Sequence, residues 1–238
     1  MRRYRCQRLP GLGESVTLDR ETSRHMLVAC LTPRGESVLL YDEGGLEAEA
    51  RLEGVDGELA RLVVTAEPRE LPTTQPLILI QGMPRKPAME RILRMATELG
   101  VTEVRPFPAA RSVVKGFHEE RWGKIVSSSA TQCGRGDLPE VRPAKSLKEA
   151  LEGLPEGERW LLSPHESASG HDETRVRPVA LIIGPEGGLT ESEVEACIEA
   201  GFSGRKIAEW TLRADTAAVA AITLAVQLPT MVAVTQMS

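Results

Sequence analysis

Two segments of the chain carry residues suited to chemistry. The first is Gly184-Pro-Glu-Gly-Gly188, set between the apolar run Val179-Ala-Leu-Ile-Ile183 and Thr190. An apolar run without alternation is the pattern of a central parallel strand. Thr190 and Glu193 have the spacing of a capping box, so a helix is expected to start there. The glycines therefore fall at the carboxyl end of a strand, where open α/β sheets bind ligands. Gly187 and Gly188 let a ligand approach the main chain, Pro185 stiffens the loop, and Glu186 sets a carboxylate beside it. An ordinary tight turn would use the same glycines, so the loop alone does not define a site. No Gly-x-x-x-x-Gly-Lys-Ser/Thr and no Gly-x-Gly-x-x-Gly occurs, which argues against a nucleoside phosphate as the first choice of ligand.

The second segment is Lys206-Ile-Ala-Glu-Trp-Thr-Leu-Arg-Ala-Asp-Thr216. It feeds Ala217 to Leu228, which is apolar on nearly every side and is expected to form a buried helix, in the core or against a second subunit. Asp215 or Thr216 is expected to cap that helix. Arg213, a cation at the edge of a buried element, calls for an anionic or polar partner. Asp215 and a nucleic-acid phosphate both qualify.

Basic residues gather elsewhere. Arg2, Arg3, Arg5 and Arg8 stand in the first eight residues without an acid, and Arg85 to Lys124 holds nine Lys or Arg against five Asp or Glu. Arg85, Lys86, Arg91 and Arg94 flank or line one expected helix, and Arg135 follows another. Phosphate contact and a plain solvated face both fit these residues. The net charge of −5 means that any nucleic acid must be held by local fields rather than by the whole molecule. With three Trp, two Tyr and three Phe, stacking of bases on aromatic rings is expected to contribute little.

Cys6, Cys30, Cys133 and Cys197 are scattered without a CxxC pair, and the four histidines are dispersed. No metal site is expected, and the pattern suits a reducing compartment. The basic N-terminus lacks an apolar stretch, and Ala217 to Leu228 is too short to span a bilayer, so a cytoplasmic protein without a membrane partner is expected.

The elements that must position these residues fall into two groups. Residues 1–70 read as a small β-barrel: strands Ser15–Leu18, Ser37–Tyr41, Leu46–Leu52 and Leu59–Val64, with one helix from Asp19 to Leu31. Glu67 to Pro72 reads as a linker. Residues 74–238 alternate strand and helix: strands Leu77–Ile80, Val101–Phe107, Trp160–Leu162 and Val179–Ile183, and helices Pro87–Leu99, Glu119–Gln132 and the one after Thr190. In that last helix Val194, Cys197 and Ile198 are expected inward. Alternation of this kind implies an α/β fold with a mostly parallel sheet covered by helices.

Taken together the segments resemble the RsmE family of ribosomal RNA methyltransferases, in the SPOUT superfamily, over nearly the whole chain. The carriers are Gly184-Pro-Glu-Gly-Gly188, Leu212-Arg213 with Asp215-Thr216-Ala217, Ala96-Thr-Glu-Leu-Gly-Val101, Arg111-Ser-Val-Val114 and Gln132-Cys-Gly-Arg135, in this order. The resemblance implies a trefoil knot in the C-terminal domain, a PUA-like N-terminal barrel that binds RNA, and a homodimer with the last helix at the interface. It implies S-adenosylmethionine as cofactor and methylation of ring nitrogen 3 of a uridine in small-subunit (16S) ribosomal RNA, free or in the 30S particle.

Carried over by position, the cofactor pocket would use Leu162, Ser163, Gly184, Pro185, Glu186, Gly187, Gly188, Ile207, Ala208, Trp210, Leu212 and Arg213. Catalysis would rest on Arg213, assisted by Asp215 or Glu186. RNA would meet Arg2, Arg3, Arg5, Arg8, Arg85, Lys86, Arg94 and Arg135. The chain departs from the family at Ile207-Ala208, Trp210 and Asp215, and at Cys30-Leu-Thr32 in the barrel. A non-catalytic RNA-binding or ribosome-assembly protein, or a SPOUT enzyme with another RNA target, are the competing readings.

Overall fold

A computed structural model of the chain describes residues 1–42, 44–70, 75–114, 116–162 and 177–228. Two compact units divide it: Met1–Thr73 with Ala130–Leu138, and Thr74–Ser129 with Pro139–Ser238.

The first unit is built on one mixed sheet. Its strands are β1 (Arg3–Arg5), β2 (Ser15–Thr17), β3 (Ser37–Tyr41), β4 (Leu46–Asp56), β5 (Leu59–Val64) and β6 (Arg69–Glu70). They run in the order β1-β3-β4-β5-β2, with β6 on β4, and only the β1–β3 pair is parallel. Among the described residues no pairing joins β1 to β2. Alternation buries one face, with Val38, Leu40, Ala48, Ala50, Leu52, Ala60, Leu62 and Val64 around Tyr4, Leu18 and Met26.

The expected helix after Asp19 is α1 (Arg20–Arg24), and Asp19 caps it by accepting from the Thr22 N–H at 2.8 Å. It does not continue as an α-helix to Leu31. It widens into a π-helical stretch, His25–Ala29, and the chain then turns at Leu31 with φ of 48°. The expected linker also contains structure, since Arg69–Glu70 pairs with β4.

The second unit is a parallel six-stranded sheet. Its strands are β7 (Ile78–Gly82), β8 (Glu103–Phe107), β9 (Glu140–Val141), β10 (Arg159–Leu162), β11 (Ala180–Ile183) and β12 (Ser203–Arg205), in the order β12-β10-β11-β7-β8-β9. The helices are α2 (Lys86–Glu98), α3 (Glu119–Cys133, whose last turn falls in the first unit), α4 (Leu147–Ala150), α5 (Glu191–Glu199) and α6 (Ala214–Gln227).

Strands β7 and β11 are central and buried on both faces, which is why they read as continuous apolar runs. On one face Leu79, Leu181 and Ile183 pack with Met89, Ile92, Leu93 and Ala96 of α2, Trp122 and Val126 of α3, and Ala218, Ala221, Ile222 and Ala225 of α6. On the other, Ile78, Ile80 and Ile182 pack with Ala150, Cys197 and Phe202. The alanines of α6 present little bulk, so it lies close against α2. One inward expectation fails on α5. Cys197 is buried, but Ile198 is half exposed, because one residue along a helix rotates about 100° away from the sheet.

Candidate active site

The loop after β11 is held from several sides. The Gly188 N–H donates to the Pro185 carbonyl at 2.8 Å, and Gly188 has φ of 71°, a conformation glycine adopts without steric cost. A Cβ on Gly184 would stand 3.0 Å from the Gly188 carbonyl carbon, and one on Gly187 would stand 3.0 Å from Arg111 Cβ. Pro185 lies so close to Gly82 that a Cβ there would be 2.7 Å from its ring. The buried Gln81 amide donates to the carbonyls of Gly82, Ile183 and Gly184 at 2.9, 3.3 and 3.2 Å.

Glu186 Oε1 accepts the Arg85 N–H at 3.0 Å, at the start of α2. The capping box expected at Thr190 and Glu193 forms, and Glu193 also accepts the Ala110 N–H at 2.8 Å. The Arg111 guanidinium donates to the Gly187 carbonyl at 3.1 Å. The loop is thus tightly braced: Gly184 and Gly187 sit where a side chain would crowd its neighbours, and Gly188 where the backbone turns to positive φ.

The second loop, residues 206–213, leaves β12 and enters α6. Its expected cap differs. Arg213 is the N-cap, extended and without a side-chain cap bond, and the helix begins at Ala214. Asp215 lies inside the first turn and accepts from Arg91 Nε at 2.8 Å, so its partner is Arg91 rather than Arg213. Burial pushes the Asp215 carboxyl up, but the Arg91 guanidinium and the Thr216 N–H outweigh that and hold it below the usual carboxylate range. Arg213 is exposed and has no ion pair among the described residues.

These two loops and the end of β10 enclose one cavity of about 260 Å³. That volume suits a small molecule rather than one water, which occupies roughly 30 Å³ of liquid. Of the expected pocket residues, Leu162, Gly184, Pro185, Glu186, Gly187, Gly188, Ile207, Ala208, Trp210 and Leu212 all line it. Arg213 does not, nor does Asp215, which was expected in catalysis, and Ser163 lies outside the described residues.

Arg111, Arg205 and Lys206 were not expected in the pocket, yet all three line the cavity. Their proximity depends on the parallel sheet order, which no local spacing encodes. Arg205 is committed to Glu158 at 2.5 Å and to the Trp160 ring at 5.4 Å. The floor is apolar (Leu161, Leu162, Ile183, Ile207, Leu212, Ala214, Ala217), the walls are main chain, and Glu186 is the one carboxylate among the lining residues. Such a site takes a ligand with an apolar body and polar edges read by backbone groups.

The arginines expected to meet RNA fall into two classes. Arg3 is tied to Glu47 at 2.5 Å and lies over the Tyr41 ring, Arg135 pairs with Asp137 at 2.8 Å, and Arg2 donates to the Cys30 carbonyl at 2.8 Å. Arg8, Arg85, Lys86 and Arg94 are exposed and hold no ion pair among the described residues, and Arg5 is exposed. Among the described residues no group of His, Cys, Asp and Glu is arranged to hold a metal, and no helix is long and apolar enough to cross a membrane.

A family model described as an RNA methyltransferase domain matches residues 70–226. The chain belongs to this RNA methyltransferase family. It is 28% identical over 221 residues to the ribosomal RNA small subunit methyltransferase E of Bacillus subtilis, covering 85% of this chain and 86% of that one. Among solved structures it is similar to the ribosomal RNA small subunit methyltransferase E of Neisseria gonorrhoeae bound to S-adenosyl methionine, at 29% identity and a TM-score of 0.78, over 94% of this chain and 95% of that. It is also similar to a methyltransferase of Legionella pneumophila in complex with the cofactor SAM, at 27% identity and a TM-score of 0.77, over 93% and 95%. The RsmE resemblance read from the motifs is thereby borne out, and the glycine loop and its cavity lie within the matched methyltransferase region.

Proposed function

We propose that this protein transfers the methyl group of S-adenosylmethionine to ring nitrogen 3 of a uridine in small-subunit ribosomal RNA. One observation carries the reading. In a member of an RNA methyltransferase family, three segments distant in sequence close around one cavity, where Gly184 and Gly187 leave no room for a side chain. The residues fit the cofactor: the main chain of Gly184 to Gly188 and of Ile207 to Leu212 would hold its polar edges, and Leu162, Ile183 and Leu212 its apolar parts. When bound, S-adenosylmethionine supplies a methyl group already activated on a sulfonium.

The protein's own task is alignment and exclusion of water. Uridine N3 carries a proton that must leave, which places negative charge on the ring oxygens. Arg213, exposed beside the cavity, is assigned to that charge. One Glu186 oxygen holds the α2 N-terminus, and its other oxygen is assigned to take the proton. Asp215, bound to Arg91, acts by fixing the first turn of α6 and with it Arg213.

The reading extends to the whole molecule. The parallel sheet would be of SPOUT type, with its C-terminal segments threaded as a trefoil knot. The first unit would be a PUA-like barrel that meets RNA through Arg5 and Arg8. The apolar α6 would pair two copies into a homodimer working in the cytoplasm on ribosomal RNA or the 30S particle. Calorimetry with S-adenosylhomocysteine tests the cofactor, and mass mapping of ribosomal RNA from cells with and without the protein tests the target. No binding of S-adenosylhomocysteine would leave a non-catalytic RNA-binding protein instead, and a methyl on another RNA would change the target.

A further inference from the structure

The three tryptophans of the chain are treated very differently. Trp122 and Trp160 are 1% and 6% exposed, whereas Trp210 is 81% exposed. Trp210 also lines the cavity, so it stands at the mouth with its indole in water. An indole there leaves on the order of 150–250 Å² of largely apolar surface without a partner, and no ring or cation contact covers it among the described residues. Cations flank it. Arg111 and Lys206 line the same cavity and Arg213 follows three residues on, and neither Lys206 nor Arg213 holds an ion pair among the described residues.

An exposed aromatic ring in a cavity that also holds cations is the arrangement that binds single-stranded nucleic acid by stacking and phosphate contact. The inner part of the cavity is formed by the buried Leu161 and Ile183 and by the braced glycines, and suits the cofactor. The mouth is where an acceptor base must arrive. A base taken out of its stack loses two neighbours and gains from a replacement surface.

We propose that Trp210 is the stacking platform for the acceptor uracil, with Lys206 on the adjoining phosphate and Arg213 left to the charge that develops on the base. The proposal deepens the methyltransferase reading and rests on it. It runs against the expectation that aromatic stacking contributes little, since one well-placed ring would suffice for one base.

The test uses the full-length protein and its Trp210→Ala and Trp210→Phe variants. S-adenosylhomocysteine affinity is measured by calorimetry, methylation by steady-state kinetics on unmodified small-subunit ribosomal RNA, and contact by photocrosslinking to the same RNA carrying 5-iodouridine. Trp210→Ala is expected to raise the RNA KM about 5- to 150-fold, the span that loss of a stacked base produces. It is expected to keep S-adenosylhomocysteine affinity, Trp210→Phe is expected to recover most of the RNA KM, and the crosslink is expected to map to Trp210. A crosslink elsewhere with an unchanged KM overturns the proposal. So does a loss confined to S-adenosylhomocysteine binding, which would assign the indole to the cofactor's adenine. A variant that turns monomeric in light scattering would assign it to a subunit interface. Wild-type protein that binds no S-adenosylhomocysteine or methylates no ribosomal RNA ends the methyltransferase reading itself, and that result comes before any variant is made.

Discussion

At the scale of single residues the cavity depends on what is missing from its walls. Gly184→Ala would place a methyl 3.0 Å from both the Gly188 carbonyl carbon and the Leu189 nitrogen, and main chain cannot swing aside as a side chain can. Calorimetry should show S-adenosylhomocysteine bound at least about tenfold more weakly, a cost of about 1.4 kcal/mol. Arg213→Ala should act differently. It is expected to lower turnover about 100-fold, within the range for loss of a charge-stabilising donor, while leaving S-adenosylhomocysteine affinity intact. Full turnover together with unchanged RNA affinity in that variant would remove Arg213 from the mechanism. The wall from Gly184 to Gly188 was readable because glycine and proline types announce main-chain exposure, whereas Leu162 and the residues from Ile207 to Leu212 came only with the family resemblance. The partner of Asp215 was not, because Arg91 lies 124 positions away and reaches it only through the packing of α2 on α6.

At the scale of elements, two carboxylates tie the site to the helices behind it. Glu186 supplies from a distant loop the cap that α2 lacks locally, so Glu186→Ala should lower stability by about 1 kcal/mol in urea unfolding. The Arg91–Asp215 pair gives a pH signature. The folded Asp215 carboxyl titrates below its unfolded value of about 3.9. Its stabilisation is therefore complete above the unfolded value and fades as the pH falls through the folded one. Arg91 is 48% exposed, so screening limits the pair to about 1 kcal/mol or less. Asp215→Asn should unfold at lower urea than wild type at pH 7, and the two midpoints should converge in strong acid. Midpoints separated by the same amount at every pH would assign the effect to something other than this charge.

The long elements announced themselves in sequence. The apolar stripe of α2 and the unbroken runs of β7 and β11 carry enough residues to show a period. Strands β1, β6, β9 and β12 and helix α4 have two to four residues each and show none.

At the scale of the molecule, fold class was readable because strand and helix mostly alternate among the described residues of the second unit, and parallel strands require that crossover rhythm. The order of strands was not, because it depends on which distant runs pair. Self-association belongs to this scale too. Leu224 on the otherwise apolar α6 is 47% exposed, a surface that a second copy would cover. Leu224→Glu is expected to give a monomer in light scattering where wild type gives a dimer. A wild-type monomer would remove the dimer from the proposal.

The middle of the parallel sheet carries a last consequence. Its neighbours β7 and β11 are joined by the Gln81 amide to Ile183, across 102 positions of chain. During translation β7 and α2 leave the ribosome long before the strand that must lie beside them. The walls of the cavity come later still, since residues 206–213 and α6 follow α5. A nascent chain released early therefore carries no half-built catalyst: it has a hydrophobic strand with one flank open, which is work for a chaperone or a protease.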